Sequence, residues 1–331
     1  MQKPIAVVTG GSAGVGLATA QRLLRSGWSV AILARNVERL EEAAALLRRE
    51  DGDVLSLSVD VADAKAVDDA ADAVETRLGP ISAWVNNAMS TVVAPAQEIT
   101  PEEYARVTAT TYLGQVHGTL AALRYMRPRR RGIIVQISSV LGFRAVPMQA
   151  AYCAAKFAVS GFTDALRAEL IADDVPVALS VVYLPAVNTP QFTWARNRSG
   201  RQQLAPPPIF DPRVCAEGIV RAIERPTREV WIGRATPLMS LGQKLLPTFS
   251  DRKASGFKED QQGAAEPPKA GNLDIAPAGP AAIDGPWRAD VTSAAGQIFT
   301  SRHRNGAMLA VSSAGLALAS LLLRRAAGGR R

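Results

Sequence analysis

The sequence has few cysteines, no concentrated stretch of basic charge and no apolar opening segment, and each lack removes a class of protein. Two cysteines, Cys153 and Cys215, are too few for a disulfide framework and have no metal-site spacing, so neither a cross-linked scaffold nor a metal centre is expected. That usage fits a reducing compartment. The formal net charge of +8 is spread along the chain and mixed with acidic residues, which argues against a nucleic-acid surface. The densest basic run, Arg127 to Arg131 around Pro128, reads as a solvated turn before a strand. Met1 to Pro4 lead straight into Ile5-Ala-Val-Val, a buried-strand pattern rather than an export signal, so the cytoplasm is the expected location.

What is present is an alternation. From Ile5 to Ile232, short Val- and Ile-rich runs alternate with longer stretches of helical period, the pattern of a parallel sheet covered on both faces. Runs at Ile5–Val8, Ser29–Leu33, Val54–Ser58, Ala83–Val85, Ile133–Ile137, Val177–Val182 and Glu229–Ile232 predict a doubly wound α/β domain over residues 1–235. The expected sheet is parallel, Rossmann-type and seven-stranded. Residues 236–250 read as a short amphipathic helix. The tract 251–305, crowded with Pro, Gly, Ala and charge, reads as a largely disordered linker. Residues 306–325 carry an uncharged apolar run, Ala307 to Leu323, bracketed by arginines. Its length is at the lower limit for a bilayer span, about 17 residues. Two readings stand: an anchor that attaches the enzyme to a membrane, or an apolar helix packed on the enzyme or a second subunit.

Directly after the first run comes Thr9-Gly10-Gly11-Ser12-Ala13-Gly14-Val15-Gly16, then helical periodicity. Strand, glycine turn and helix in this order let backbone amides and the positive helix end approach a pyrophosphate, with Gly10, Gly14 and Gly16 keeping side chains out of the way. The spacing is not that of the general dinucleotide fingerprint, so an ordinary tight turn remains the alternative. At the end of the second run, where NAD-binding folds place a carboxylate for the ribose hydroxyls, the sequence is Leu33-Ala34-Arg35-Asn36. Without an acid there, a 2′-phosphate is not repelled, and Arg35 can bind it bidentately with help from the Ser12 hydroxyl. NADP(H) is therefore the expected cofactor and NAD(H) the alternative.

Tyr152-Cys-Ala-Ala-Lys156 lies in a segment of helical composition, Gln149–Ala172, so phenol and ammonium share one helix face. An adjacent cation favours the phenolate and brings a phenol toward catalytic use near neutral pH. Upstream, Ile133-Ile-Val-Gln-Ile ends in Ser138-Ser139 at a strand end, where this sheet type binds ligands.

With these pieces assembled, the sequence resembles the short-chain dehydrogenase/reductase family over about Lys3 to Gly233. The family's glycine motif matches Gly10, Gly14 and Gly16, and its adenine-side acid matches Asp60, followed by Val61. Its Asn-Asn-Ala motif matches Asn86-Asn87-Ala88. Its catalytic serine, thirteen residues before the tyrosine, selects Ser139 over Ser138. Pro185 and Thr189 match its nicotinamide-side loop. The resemblance implies that Tyr152 exchanges a proton with the substrate oxygen, that Ser139 steadies that oxygen, and that Lys156 binds the nicotinamide ribose and tunes the phenol. It also implies an alcohol or carbonyl substrate and a homo-oligomer.

Three positions depart from the family pattern: Met89 and Ala186 stand where glycines are usual, and Thr111 where an asparagine completes a proton relay. A threonine hydroxyl can hold a water, so Thr111 is expected to keep a slower relay. The segment that closes over substrate in this family holds Gln191-Phe-Thr-Trp194, Arg196, Arg198, Arg201 and Pro206-Pro-Pro208. Its aromatic groups suit a lipophilic alcohol, ketone or aldehyde, and its arginines an anionic end. The alternative function, motivated by the three departures, is a non-catalytic NADP(H) sensor or scaffold.

Overall fold

A computed structural model of the chain describes residues 3–287, 291–293, 295–303 and 306. Eight strands form the main sheet: β1 (Ile5–Thr9), β2 (Ser29–Ala34), β3 (Val54–Ser58), β4 (Ile81–Asn86), β5 (Ile133–Ser139), β6 (Ala178–Leu184), β7 (Glu229–Ile232) and β8 (Ile298–Thr300). Their order is β8-β7-β6-β5-β4-β1-β2-β3. The first seven pair in parallel. The chain reverses its winding direction between β1 and β4, which opens a crevice at the carboxyl edge of the sheet.

Helices α1 (Gly14–Arg25), α2 (Val37–Leu47) and α7 (Pro212–Glu224) cover one face of the sheet. On the other lie α3 (Ala64–Arg77), α5 (Gly114–Arg129) and α6 (Ala150–Ala172), with α4 (Pro101–Thr108) leading into α5. A strand covered on both faces needs apolar side chains at successive positions. In β1, Ala6 and Val8 enter one core and Ile5 and Val7 the other. Each fully buried branched side chain contributes about 1.5–3 kcal/mol of transfer free energy.

Beneath the crevice the contact between sheet and α5 is polar and fully satisfied around one residue. The Asn86 amide donates to Gln115 O at 3.1 Å, Thr119 Oγ1 at 3.0 Å and Gln136 Oε1 at 2.9 Å, and its carbonyl accepts from Trp84 Nε1 at 2.9 Å. Gly118 permits this approach, since a Cβ there would stand 2.2 Å from Asn86 Oδ1. The network fixes α5 and thereby the irregular turn that precedes it, Ala109–Leu113, where the helix widens to an i→i+5 pattern.

Three expectations need correction. The sheet has eight strands rather than seven, because Ile298–Thr300 adds an antiparallel edge strand on β7. Its short run lay within the tract read as linker. Residues 236–250 fall in two helices, α8 (Ala235–Leu245) and α9 (Pro247–Asp260), broken at Leu246 just before Pro247, where the residue preceding a proline is pushed out of helical geometry. Most of 251–305 is not a disordered linker. Its backbone polar groups are taken up by side chains and main chain of the α/β domain, a form of support that composition does not show.

The apolar run Ala307–Leu323 lies outside the described residues. Among the described residues no helix is long and apolar enough to cross a membrane, and no cluster of His, Cys, Asp or Glu could hold a metal ion. The basic run before β5 is engaged in exposed ion pairs, Arg127 with Asp173, Arg129 with Glu75 and Arg130 with Asp174.

Candidate active site

The carboxyl edge of the sheet opens into a cavity of about 660 Å³, within the usual range for small-molecule sites. Its floor is the glycine turn between β1 and α1. Gly10 and Gly14 hold left-handed φ values of 67° and 54°, which cost a residue with a Cβ about 1 kcal/mol or more. A Cβ on Gly16 would stand 2.2 Å from Gly10 O and fill the cradle. Asn87 locks this turn to the end of β4: its amide donates to Thr9 O at 2.9 Å, while Thr9 Oγ1 accepts from the backbone of Asn87 and Ala88 at 2.9 and 3.0 Å. Asn87 thus acts on the cradle's shape. The first turn of α1 has no side-chain cap and no acid; Ala282 O takes the Gly14 amide at 2.8 Å, and the next amides and the positive helix end are left toward an anion.

At one end of the cavity stand Ala34, Arg35, Asp60 and Val61. Burial alone would raise the Asp60 carboxyl, but Arg106, 2.5 Å away, and the Ala62 amide hold it below its ordinary value. Arg35 is joined there by a residue that the sequence reading missed. Arg39, only 3% exposed, projects from the first turns of α2 into the cavity wall, its guanidinium 4.2 Å above the Trp194 ring. Desolvation lowers the pKa of both arginines. Among the described residues, neither has a carboxylate within ion-pair distance. Arg39 could have been noticed from its place in the opening turn of the helix that follows directly on Arg35.

The other end gathers Ser139, Tyr152 and Lys156. Ser139 closes β5, and the helix α6 carries Tyr152 and Lys156 one turn apart. Lys156, 1% exposed, donates to Ile137 O at 2.6 Å and lies 5.6 Å from the centre of the Tyr152 ring. Burial lowers its pKa to about 7 and raises that of the Tyr152 phenol well above the ordinary value, an effect that a hydrogen bond with Ser139 partly offsets. The phenol is therefore protonated across the neutral range. Pro185 and Thr189 stand on the rim between the two ends, Thr189 packed over Gly14.

Two site expectations do not match the geometry. The Thr111 hydroxyl is fully buried and committed to Ser90, donating to its carbonyl at 2.8 Å and accepting from its amide at 2.9 Å, so it has no lone donor for a relay water. Its neighbour Thr110 lines the cavity instead, and its buried hydroxyl has no partner among the described residues. Ser138 Oγ is in the same position. Nor do the arginines of the covering loop face the cavity as an anion site: Arg196 and Arg198 both pair with the buried Glu103. Phe192 and Trp194 do line it. A glycine cradle, an uncapped helix start and orphaned hydroxyls along an elongated cleft fit a dinucleotide.

Lys156 gives one stability prediction. Its ammonium has an ordinary pKa near 10.5 and a buried one near 7, so the folded state excludes a proton that the unfolded chain holds between those values. The penalty is absent above about pH 10.5, grows as pH falls toward 7 and is constant below. Ile137 O keeps a second donor in Gln115 Nε2 at 2.9 Å. Lys156→Met is therefore expected to raise stability by about 1–3 kcal/mol at pH 6–7, and less at pH 9, while abolishing turnover. Thermal melts at the two pH values check the sign; a lower melting temperature at pH 6 contradicts it.

Comparison with known proteins agrees with this geometry. The family model for short chain dehydrogenases matches residues 4–199. The chain is 30% identical to an uncharacterized oxidoreductase, YxnA, of Bacillus subtilis, over 81% of this chain and 76% of that one. It is 28% identical to a fatty acyl-CoA reductase of Acinetobacter baylyi, over 74% of this chain and 85% of that one. The crystal structure of a short chain dehydrogenase from Bacillus anthracis superposes with a TM-score of 0.54 at 23% identity, covering 56% of this chain and 75% of that one, a likeness of fold. The chain belongs to the short-chain dehydrogenase/reductase family, as an oxidoreductase that acts on CH–OH groups of small molecules with NAD(P)(H) as cofactor.

Proposed function

We propose that this protein is an NADP(H)-dependent oxidoreductase that interconverts a lipophilic alcohol and its aldehyde or ketone, with Tyr152 as the proton donor in reduction. The observation that carries this reading is the convergence of Ser139, Tyr152 and Lys156 at one end of a cleft whose other end holds two arginines without carboxylate partners. A bound NADPH would supply the hydride. Ser139 and Tyr152 would hold the substrate oxygen, and Tyr152 would release its proton to that oxygen as negative charge develops there. Lys156, when protonated, offsets the charge left on the phenol. Arg35 and Arg39 would take the 2′-phosphate, Thr189 and Pro185 would border the nicotinamide, and Asp60 with Val61 the adenine. The intact Ser139–Tyr152–Lys156 group speaks against a purely sensing or scaffolding role.

The substrate end is apolar. Leu141, Val146, Phe192, Met239 and Phe257 line it together with Pro206–Pro208, with the exposed Arg234 also in the cavity lining. A long-chain aldehyde or ketone fits this lining better than a sugar or a small charged acid, and the name of the acyl-CoA reductase relative points the same way. The test is a series of unbranched aldehydes and 2-ketones assayed by NADPH oxidation. Because each buried methylene is worth about 0.8 kcal/mol, kcat/KM is expected to rise about two- to fourfold per added methylene until the cavity is filled. A series with no dependence on chain length contradicts the lipophilic assignment.

A further inference from the structure

Between α9 and β8 the chain makes an extended passage from Gly271 to Trp287 with almost no regular structure of its own. It crosses the mouth of the cleft at the Arg35 end, and arginines from four parts of the domain hold it. On the α4 side, Arg106 Nε donates to Leu273 O at 3.1 Å, and Arg196 reaches Ala270 O at 2.8 Å and the Asp274 carboxylate at 2.6 Å. In the middle, Arg35 donates to Asn272 O at 2.6 Å and to Leu273 O and Asp274 O at 3.2 Å, and Arg39 donates to Gly279 O at 3.1 Å and to Pro277 O. On the α1 and α7 side, the Gly14 amide donates to Ala282 O at 2.8 Å, and Arg213 grips Asp284 through two bonds of 2.7 and 2.9 Å. Trp287 ends the passage with its ring edge-on to Phe192, centroids 4.8 Å apart.

The inner side of this passage is part of the cavity wall. Asn272, Ala276 and Pro277 line the cavity. Asn272, 6% exposed, is bonded to Gln191 through one pair of amide atoms at 3.2 Å. Asn272 Oδ1 and Gln191 Nε2 remain buried without partners among the described residues. Turning both amides over leaves the same count, one spare acceptor and one spare donor beside the cavity. Buried amides left in this way cost about 1–3 kcal/mol each unless a ligand or water meets them.

We propose that residues 272–287 are a cofactor clasp: the dinucleotide binds beneath this segment, meets the spare Asn272–Gln191 amide atoms, and leaves only when the segment lifts. The proposal rests on the dinucleotide reading of the cleft. The same carbonyls that fasten the clasp also fix Arg35 and Arg39, so closing the segment sets both guanidinium groups at the cavity wall. The cavity stays open under the closed segment, which contributes to its wall; although the segment takes the Gly14 amide, Arg35 Nε and Arg39 Nη1 are left over from its carbonyls as donors for a phosphate.

The latch residues Asp284 and Trp287 lie outside the cavity lining, so an Asp284→Ala, Trp287→Ala double variant loosens the segment and removes no atom from the cavity wall, Phe192 losing only a packing partner behind it. NADPH release, followed by stopped-flow fluorescence after mixing the complex with excess NADP+, is expected to accelerate about tenfold or more. Hydrogen–deuterium exchange of the unaltered chain supplies a readout that needs no variant: amides of 272–287 are expected to exchange at least tenfold more slowly with NADPH bound. Release within twofold of the unaltered chain, or tighter binding in the double variant, overturns the clasp, as does exchange that NADPH leaves unchanged. Failure of the unaltered chain to take up either NADPH or NADH overturns the dinucleotide reading itself, and the clasp with it.

Discussion

Tyr152→Phe is expected to lower kcat for carbonyl reduction by about a thousandfold, within the range of about 10²–10⁴ that positioned proton transfer supplies, while the Kd for NADPH stays within about threefold. The substitution removes one oxygen from a half-buried ring and nothing else. The ring remains seated beside Lys156, whose ammonium is held independently by Ile137 O at 2.6 Å. No other protonated group stands where Tyr152 does: Ser139 is a far weaker acid, and Lys156 points its nitrogen at a backbone carbonyl. Because the phenol's pKa is raised by burial, the missing proton is one that the unaltered enzyme carries throughout the neutral range. Loss in kcat with NADPH affinity retained marks an interaction made only as the reaction proceeds. Turnover within tenfold of the unaltered enzyme removes Tyr152 from the chemistry.

Arg35→Asp is expected to reverse cofactor preference. In the unaltered protein a 2′-phosphate would meet Arg35 and Arg39, and charge-assisted bonds of this kind are worth about 1.5–3 kcal/mol each. The variant loses one guanidinium and gains a carboxylate that repels the phosphate and can accept from ribose hydroxyls. The ratio of kcat/KM for NADPH over NADH is expected to fall by about 10²–10³. Arg35 also holds the carbonyls of Asn272, Leu273 and Asp274, so part of the loss is common to both cofactors; the ratio separates the two effects. An unchanged ratio contradicts the phosphate assignment, whatever happens to the separate affinities.

Much of this fold is legible in the sequence because its signals are local. The seven Val- and Ile-rich runs found their strands to within a residue or two, since a doubly covered strand must be apolar throughout and the intervening helices show their own period. The glycine turn and the Tyr152–Lys156 spacing are local as well, and both lie at the cavity. What escaped notice depends on partners far along the chain. Arg39 meets Gly279 O across 240 residues, and Arg106 meets Leu273 O across 167; nothing near either residue announces the contact. The tract from Asp251 onward carries few apolar side chains, and it is ordered through its backbone carbonyls and the arginines that accept its approach. Thr111 shows a third kind of miss. Sequence pattern put a hydroxyl at the relay position, but the widened turn at Ala109–Leu113 directs that hydroxyl to Ser90 and leaves Thr110 facing the cavity.

The central claim is that the cleft passes hydride between a nicotinamide and a carbonyl carbon with Tyr152 providing the proton. Reduction of a medium-chain aldehyde with NADPH carrying deuterium at the transferable nicotinamide position tests it most directly. The expected result is one deuterium on the carbinol carbon of the alcohol, with label transfer per minute reduced about a thousandfold in Tyr152→Phe. NADPH that binds in the cleft yet delivers no label to any aldehyde or ketone of the series, or label transfer that Tyr152→Phe leaves intact, would contradict it.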